Sequence, residues 1–354
     1  MRFALIGPPQ SGKSTLFSAI TGDPPDPSHA ASEQLTSVDV PDARLDYLAK
    51  LYQPKKYTPA HLSFLDVPGA SLADAHGRTE FCKRMQSIRQ CDGVVMVVRA
   101  FASDSVVMYR DRVDAKADLD ELHTELIFAD LEQVVARIEK LEKTTSRPSK
   151  THDQDVRELA MMTRAREALE AEAPVSGAIH NDEERKIASS FGFLTLKPVI
   201  VVINVGEDQV TAPPPFTHEH ARATIALSAE IEAEMAQLDD ADRGVFLEDM
   251  GLHEPAKTRL IRTCYEAVDL VSFLTCGPDE VRAWTIARET EAVEAAGKIH
   301  SDIQRGFIRA ETVAFEDIKA HTDLKGAKAA GKVRLEAKHY IVQDGDVINF
   351  RFNV

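Results

Sequence analysis

The sequence predicts a doubly wound α/β domain, interrupted by a helical insertion and followed by a smaller mixed α/β domain. Three observations lead there. Short, continuous apolar runs at residues 3–6, 62–65, 94–98, 199–203 and 225–227 alternate with helical stretches, as strands buried on both faces of a parallel sheet do. A charged helical segment separates the third and fourth runs. A new pattern begins near Val271. The 354 residues, 44% of them hydrophobic, suffice for two or three domains with cores of their own.

The first run leads into Gly7-Pro8-Pro9-Gln10-Ser11-Gly12-Lys13-Ser14-Thr15 and then into a helical stretch with Leu16, Phe17 and Ile20. This is G-x-x-x-x-G-K-[ST], a phosphate-binding loop in its strand–loop–helix setting. Its backbone N–H groups wrap nucleotide phosphates, and the helix N-terminus adds a favourable field. Lys13, the candidate catalytic residue, neutralises β/γ-phosphate charge, and Ser14 offers its hydroxyl to Mg²⁺. The second run ends at Asp66-Val67-Pro68-Gly69. A D-x-x-G at a strand end supplies a carboxylate near Mg²⁺ and a glycine N–H for the γ-phosphate. Asp66 therefore joins Ser14 as a metal candidate, and Gly69 joins the nucleotide contacts.

Residues 118–193 read as an inserted antiparallel helical arm. Leu119, Leu122 and Leu126, then Leu131, Val134, Ile138 and Leu141, recur at helical spacing. Thr144-Thr145-Ser146-Arg147-Pro148-Ser149 breaks the pattern, and Val156, Leu159, Met162 and Leu169 resume it before Pro174. Stripes of this kind pack on one another rather than line a ligand site, so the arm is assigned no catalysis. A third helix is expected over residues 182–191.

Asn204-Val205-Gly206-Glu207 follows the fourth run, where guanine-specific proteins carry N-K-x-D. Val205 replaces the lysine that packs on the base. Glu207 replaces the aspartate that accepts from guanine. Base specificity should relax or move toward adenine. Ser228-Ala229-Glu230 follows the fifth run, at the place of a base-contacting loop. Four elements in order at strand ends predict a P-loop NTPase of the GTPase class, taking ATP or GTP with Mg²⁺. At the C-terminus, Tyr340-Ile341-Val342 and Val347-Ile348-Asn349-Phe350 flank Asp344-Gly345, which predicts a β-hairpin.

The formal net charge of −15 opposes indiscriminate nucleic-acid binding. Lys298, Arg305, Arg309, Lys325, Lys328, Lys332, Arg334 and Lys338 cluster late in the chain, with Glu311 and Glu336 among them. They form either an ordinary solvated surface or a ribonucleoprotein-facing patch. No apolar run approaches a membrane span, and no signal-peptide pattern opens the chain. The four cysteines, Cys82, Cys91, Cys264 and Cys276, contain no C-x-x-C pair. A reduced cytoplasmic setting without a membrane partner is expected.

With these motifs in place, the sequence resembles the YchF family, the Obg-related ATPases of the translation-factor GTPase class. The resemblance is carried by the phosphate loop and residues 41–46 and 124–132. It continues through Asn204 with Glu207, residues 228–234, 277–284 and 306–311, and the tail 340–354. It implies a G domain (1–117 and 194–270), an inserted helical coiled-coil arm (118–193) and a C-terminal TGS-type β-grasp domain (271–354). It further implies ATP preference over GTP, slow hydrolysis, a cytoplasmic location, and association with ribosomes or ribosomal RNA through the arm and TGS-like domain.

The chain departs from the family where the chemistry sits. Gln10 stands in the family's asparagine slot of the phosphate loop. Ala30 aligns with the switch I threonine that closes over Mg²⁺, and the loop after Gly69 is short. Ala70 follows D-x-x-G, where Ras-like enzymes carry a water-orienting glutamine. Met108 aligns with the family's water-positioning histidine. His76 and, more weakly, His123 are the alternatives. Nucleotide binding with weak hydrolysis follows, in a translation-associated switch or in a nucleotide-dependent scaffold with negligible turnover.

Overall fold

The computed structural model describes residues 1–23, 32–146, 151–216 and 218–353. Ala30 and the helix-breaking residues 147–149 lie outside them. The elements up to the arm are β1 (Arg2–Ile6), α1 (Lys13–Thr21), β2 (Gln34–Asp39), α2 (Ala43–Tyr52), β3 (Lys56–Thr58), β4 (His61–Asp66), α3 (Ala75–Arg89) and β5 (Gly93–Arg99). The arm and the return to the sheet follow as α4 (Ala115–Thr145), α5 (His152–Glu170), α6 (Asp182–Phe191), β6 (Val199–Asn204), β7 (Ala221–Leu227), α7 (Ala229–Met235), α8 (Asp240–Asp249) and α9 (Ala256–Ala267). The chain ends in β8 (Leu270–Thr275), β9 (Glu280–Ala287), α10 (Ala292–Ile299), α11 (Ser301–Arg305), β10 (Phe307–Ala314), α12 (Phe315–Ala320), α13 (Leu324–Ala329), β11 (Arg334–Glu336) and β12 (Asp346–Phe352).

All five apolar runs are strands of one sheet, ordered β2-β4-β1-β5-β6-β7. The pairs β1/β4, β1/β5, β5/β6 and β6/β7 are parallel. β5 and β6 are buried at every position, as central strands covered on both faces must be. On one face, Phe81, Met85 and Ile88 of α3 and Leu119, Leu122 and Leu126 of α4 pack with Val94, Met96, Val201 and Ile203. The register sets Leu5 against Asp66, Ile6 against Met96, and Arg99 and Leu227 against Asn204. The functional loops therefore leave from one sheet edge. The chain goes from β1 to β4 on one side and to β5 on the other, so a crevice opens at the end of β1.

The arm is a helical hairpin. Asp114 caps α4 by accepting from Ala117 N at 3.0 Å. Ile127, Val134, Ile138 and Leu141 of α4 pack on Met161, Met162, Ala165 and Leu169 of α5. Val156, expected in the α5 stripe, is 44% exposed. The inward position belongs instead to Glu158, which is buried because Arg137 Nε donates to it at 2.6 Å. An ion pair replaces an apolar contact there, and apolar periodicity does not register it. Asp130, fully buried, fastens the returning chain by accepting from Leu194 N, Thr195 N and Arg89 Nη1.

The chain divides into two compact units, residues 1–36 with 63–257, and 37–62 with 258–354. Residues 37–62, which carry α2 and β3, thus group with the C-terminal segment. The second sheet is ordered β11-β10-β12-β8-β9-β3. β8 and β9 are antiparallel, β10 and β12 are antiparallel, and β12 runs parallel to β8. The β8/β9 hairpin is followed by α10 and α11 and by three further strands, and the first and last strands, β8 and β12, are adjacent and parallel. Val271, Phe273, Ala295, Ala310 and Ile348 form the core of this unit.

The terminal hairpin does not form. Residues 340–342 make only an isolated bridge, Ile341 to Glu291, and β12 pairs with β10 and β8 instead. Gly345 does turn with φ 84°, but the turn is docked on β8. Gly345 N donates to Ser272 O at 2.8 Å, and Ser272 N donates to Asp344 at 2.9 Å. Asp346 accepts from Tyr340 Oη and Gln343 N, closing the preceding segment into a loop.

Candidate functional site

The loop between β1 and α1 is set by two left-handed residues, Gln10 at φ 64° and Gly12 at φ 85°. Gly12 is required by its surroundings as well. A Cβ there would lie 2.0 Å from Asn204 Nδ2. A Cβ at Gly7 would lie 2.5 Å from the Val97 carbonyl. Pro8 and Ser11 are buried, Pro9 is half-buried and Gln10 is exposed. The Ser11 hydroxyl is buried without a hydrogen-bond partner, an unused donor in a backbone cradle.

Lys13 and Ser14 open α1, and Thr15 follows on the same turn. Lys13 is 5% exposed, and its Nζ pairs with Asp66 at the end of β4. Burial pushes its pKa down, Asp66 acts against that, and Arg84 adds to it. Ser14 Oγ also donates to Asp66, at 3.3 Å. Gly69 lies close by: a Cβ there would be 3.4 Å from Pro9 N.

Asn204, 4% exposed, joins two of the loops. Its Nδ2 donates to the Ser11 carbonyl at 3.0 Å, and its Oδ1 accepts from Ala229 N at 2.9 Å. Ser228 caps α7 by accepting from Ile231 N. A cavity of about 510 Å³ opens beside this bridge. Gln10, Gly12 and Thr15 line it together with Asn204, Val205, Glu207, Ser228, Ala229 and Glu230. Glu207 and Glu230 are exposed, whereas Val205 is 2% exposed and packs into the apolar cluster under the sheet. Gly7, Pro8, Pro9, Ser11, Lys13, Ser14, Asp66 and Gly69 are not part of this lining; they lie along the loop and at the β4 end.

One wall of the cavity escaped the motif reading. Phe101, Ala102, Ser103, Ser105 and Val106 line it, and Arg99 holds them. This guanidinium, 4% exposed, donates to the carbonyls of Phe101, Val106 and Val107 at 3.0–3.2 Å and lies 4.4 Å from the Phe101 ring centre. Burial pushes its pKa down. The available signal was a lone arginine closing an otherwise apolar strand.

The residues present fit a hard cation that shares its ligands with phosphate and water. Ser14 and Asp66 offer oxygen donors side by side, as Mg²⁺ sites on phosphates require. Among the described residues, no group of three or more His, Cys, Asp or Glu forms a metal cage. The buried Ser11 hydroxyl and the glycine-lined loop fit a phosphate chain.

This geometry has close relatives. The chain is 40% identical to "Ribosome-binding ATPase YchF" of Bacillus subtilis, covering 99% of this chain and 98% of that protein. The chain belongs to the YchF family. A YchF of Haemophilus influenzae is 37% identical over the same shares. "Obg-like ATPase 1" of Danio rerio is 32% identical over 100% of this chain and 92% of that one. Residues 270–353 match the family model YchF-GTPase_C, described as a protein of unknown function, and residues 2–134 match MMR_HSR1, described as a 50S ribosome-binding GTPase. The solved Schizosaccharomyces pombe YchF GTPase superimposes with a TM-score of 0.85 at 28% identity, covering 99% of this chain and 97% of that one.

The positions where this YchF-family chain departs from the expected motifs sit as follows. Ala70 packs partly buried against the apolar cluster under the sheet. Met108 is 48% exposed, beyond the loop that lines the cavity. His76 is exposed in the first turn of α3. His123 is engaged elsewhere, stacked on His220 with ring centres 4.6 Å apart and edge-on to His218 at 5.3 Å.

Proposed function

We propose that this chain is a nucleotide-binding P-loop protein that associates with the ribosome, taking ATP, or GTP, with slow Mg²⁺-dependent hydrolysis. The observation that carries this reading is the convergence of Lys13 and Ser14 on Asp66 at the end of β1 and β4. The relatives' names, ribosome-binding ATPase and Obg-like ATPase, support it.

In this reading Lys13 exchanges its pair with Asp66 for the β/γ-phosphates, and Asp66 and Ser14 hold Mg²⁺. The cation, when bound, neutralises phosphate charge. The amides of residues 10–15 and Gly69 orient the phosphate chain, and the loop 204–207 with 228–230 receives the base. Val205 offers no lysine stem to the base, which favours ATP over GTP. Phosphoryl transfer depends mostly on positioning and charge stabilisation. With Ala70 and Met108 at the water-orienting positions, the chain retains the grip and little water activation, so turnover is slow.

The functional modules in this reading are 1–117 with 194–270 for nucleotide, and 118–193 and the TGS-like 271–354 for the ribosome, in a cytoplasmic setting. Among the described residues no helix is long and apolar enough to cross a membrane. Several of the late basic residues are internally paired: Arg305 with Asp302, Lys332 with Asp317, and Arg334 with Asp346. A patch facing RNA would rest on the others.

Calorimetric titration with ATP, GTP and their diphosphates, with and without Mg²⁺, tests the reading. Binding of ATP that weakens when Lys13 is replaced is expected, with an affinity on the order of 1 μM to 1 mM, the span of enzyme KM values. GTP binding far more tightly than ATP overturns the base preference, and no nucleotide binding at all overturns the function.

A further inference from the structure

Three residues beyond Gly69, the Leu72 backbone is held through both of its polar groups. Its N–H donates to Tyr109 Oη at 3.1 Å. Its carbonyl accepts from Arg78 Nε at 3.0 Å and Arg110 Nη2 at 3.3 Å. All three side chains are anchored on α4. Tyr109 Oη donates to Glu121 at 2.9 Å, Arg110 pairs with the same carboxylate through Nε and Nη2, and Arg78 pairs with Glu125 at 3.3 Å.

The backbone at this clamp is strained. Arg110 and Asp111 are consecutive left-handed residues, at φ 53° and 55°. Side-chain-bearing residues persist there only where the surroundings over-determine them, and such strain gathers at ligand clamps and switches. Leu72 is 1% exposed, so losing the partner of its amide leaves a buried donor unpaired. The start of α3 presses on the same segment, since a Cβ at Gly77 would lie 1.8 Å from the Ser71 carbonyl. At its other end the segment touches the phosphate loop, where Gly69 lies against Pro9 and Gly7. Only Ala70 and Ser71 separate that contact from the clamp.

We propose that Tyr109 and Arg110 are positioning residues that couple the segment after Gly69 to helix α4, so that nucleotide at the phosphate loop and the helical arm bias each other. The inference rests on the nucleotide reading above. A segment that shifts with the γ-phosphate pulls on Leu72, and Leu72 pulls on Glu121 at the base of the arm. Coupling of this kind is reciprocal: a partner that moves the arm changes the preference for triphosphate over diphosphate.

The test uses the full chain, its Tyr109→Phe and Glu121→Gln variants and the double variant. Hydrogen exchange over residues 70–73 and 116–127 is measured with Mg²⁺ and adenylyl imidodiphosphate or ADP, and both affinities are measured by calorimetry. In the unsubstituted chain, exchange in 116–127 should differ between the two nucleotides. Each variant should lose that difference while the phosphate loop stays protected, and the ratio of the two affinities should shift by about fivefold or more. The double variant should shift no further than either single one. A merely structural role lowers both affinities together and leaves their ratio unchanged, which overturns the proposal. So does a response of 116–127 that survives in the variants. An unsubstituted chain that binds neither nucleotide overturns the nucleotide reading along with it. Should Tyr109→Phe fail to fold, Glu121→Gln decides by the same ratio.

Discussion

The side-chain amide of Asn204 is fastened to the Ser11 carbonyl at 3.0 Å. The phosphate loop is therefore held from across β5 by the strand end that carries the base-side motif. The same side chain receives Ala229 N at 2.9 Å, so one residue sets the spacing of three loops. Asn204→Ala removes both bonds at a buried position. A loss of about 2 kcal/mol in unfolding free energy is expected, read from urea denaturation, together with weaker binding of triphosphate and diphosphate alike. Unchanged stability would show that the bridge is not maintained in solution.

Lys13→Ala leaves Asp66 without its cation and, in the proposed reading, removes a charge-assisted contact to phosphate. Nucleotide affinity should fall by about 10–100-fold, corresponding to roughly 1.5–3 kcal/mol. Calorimetry reads this directly. An affinity within twofold of the unsubstituted chain would remove Lys13 from the site.

Met108→His restores an imidazole at the position that aligns with the family's histidine. A single-turnover assay with γ-labelled ATP should show a rise of about tenfold or more, below the roughly 10²–10⁴-fold that a fully positioned acid–base group contributes. A rise means that the catalytic frame is retained but disabled. An unchanged rate means that turnover does not pass through residue 108.

His123 supplies a pH dependence. Its pKa is pushed down to about 4, first by burial and then by His220 and His218, with Asp120 and Glu219 opposing. The unfolded chain titrates it near 6.5. Between those values the unfolded state binds more protons than the folded one, so stability rises with pH there. The contribution is fully present above about pH 6.5 and is lost as pH falls toward 4. Denaturation midpoints at pH 7 and pH 5 should therefore converge in His123→Gln. An unchanged gap between them would place the proton uptake on other groups.

Asp130 joins α4 to the chain returning from the arm. With Asp130→Ala, Arg89 and the Leu194 and Thr195 amides lose their common acceptor. Breaking one side of a buried pair costs about 3–5 kcal/mol, which a thermal unfolding scan will register as a large fall in midpoint. A small shift would mean that water enters and replaces the carboxylate.

β1, β5 and β6 were legible because central parallel strands are buried on both faces, so their sequences are apolar almost throughout; β4, interrupted by Ser63, and β7, at the sheet edge, offered only short apolar stretches. The phosphate loop was legible because its glycines are fixed by steric limits, Gly7 against Val97 and Gly12 against Asn204. β2 and β3 were not read, because their sequences alternate or are short and polar. The terminal hairpin was misread because a turn signal is local, whereas β12 finds its partners in β8 and β10.

Taken alone, the sequence determined the fold class and the family, and it placed a phosphate-loop motif at residues 7–15, since each of these rests on local periodicity or on motif spacing. Tertiary structure alone decided what those residues touch. It turned Val205 into the core, took His123 into a cluster of imidazoles, placed Arg99 behind the cavity wall, and bound Leu72 to Glu121 through Tyr109 and Arg110. These relationships join residues far apart in the chain through buried polar groups. Their partners are fixed by desolvation and hydrogen-bond satisfaction in the packed molecule, and no short sequence pattern carries that information.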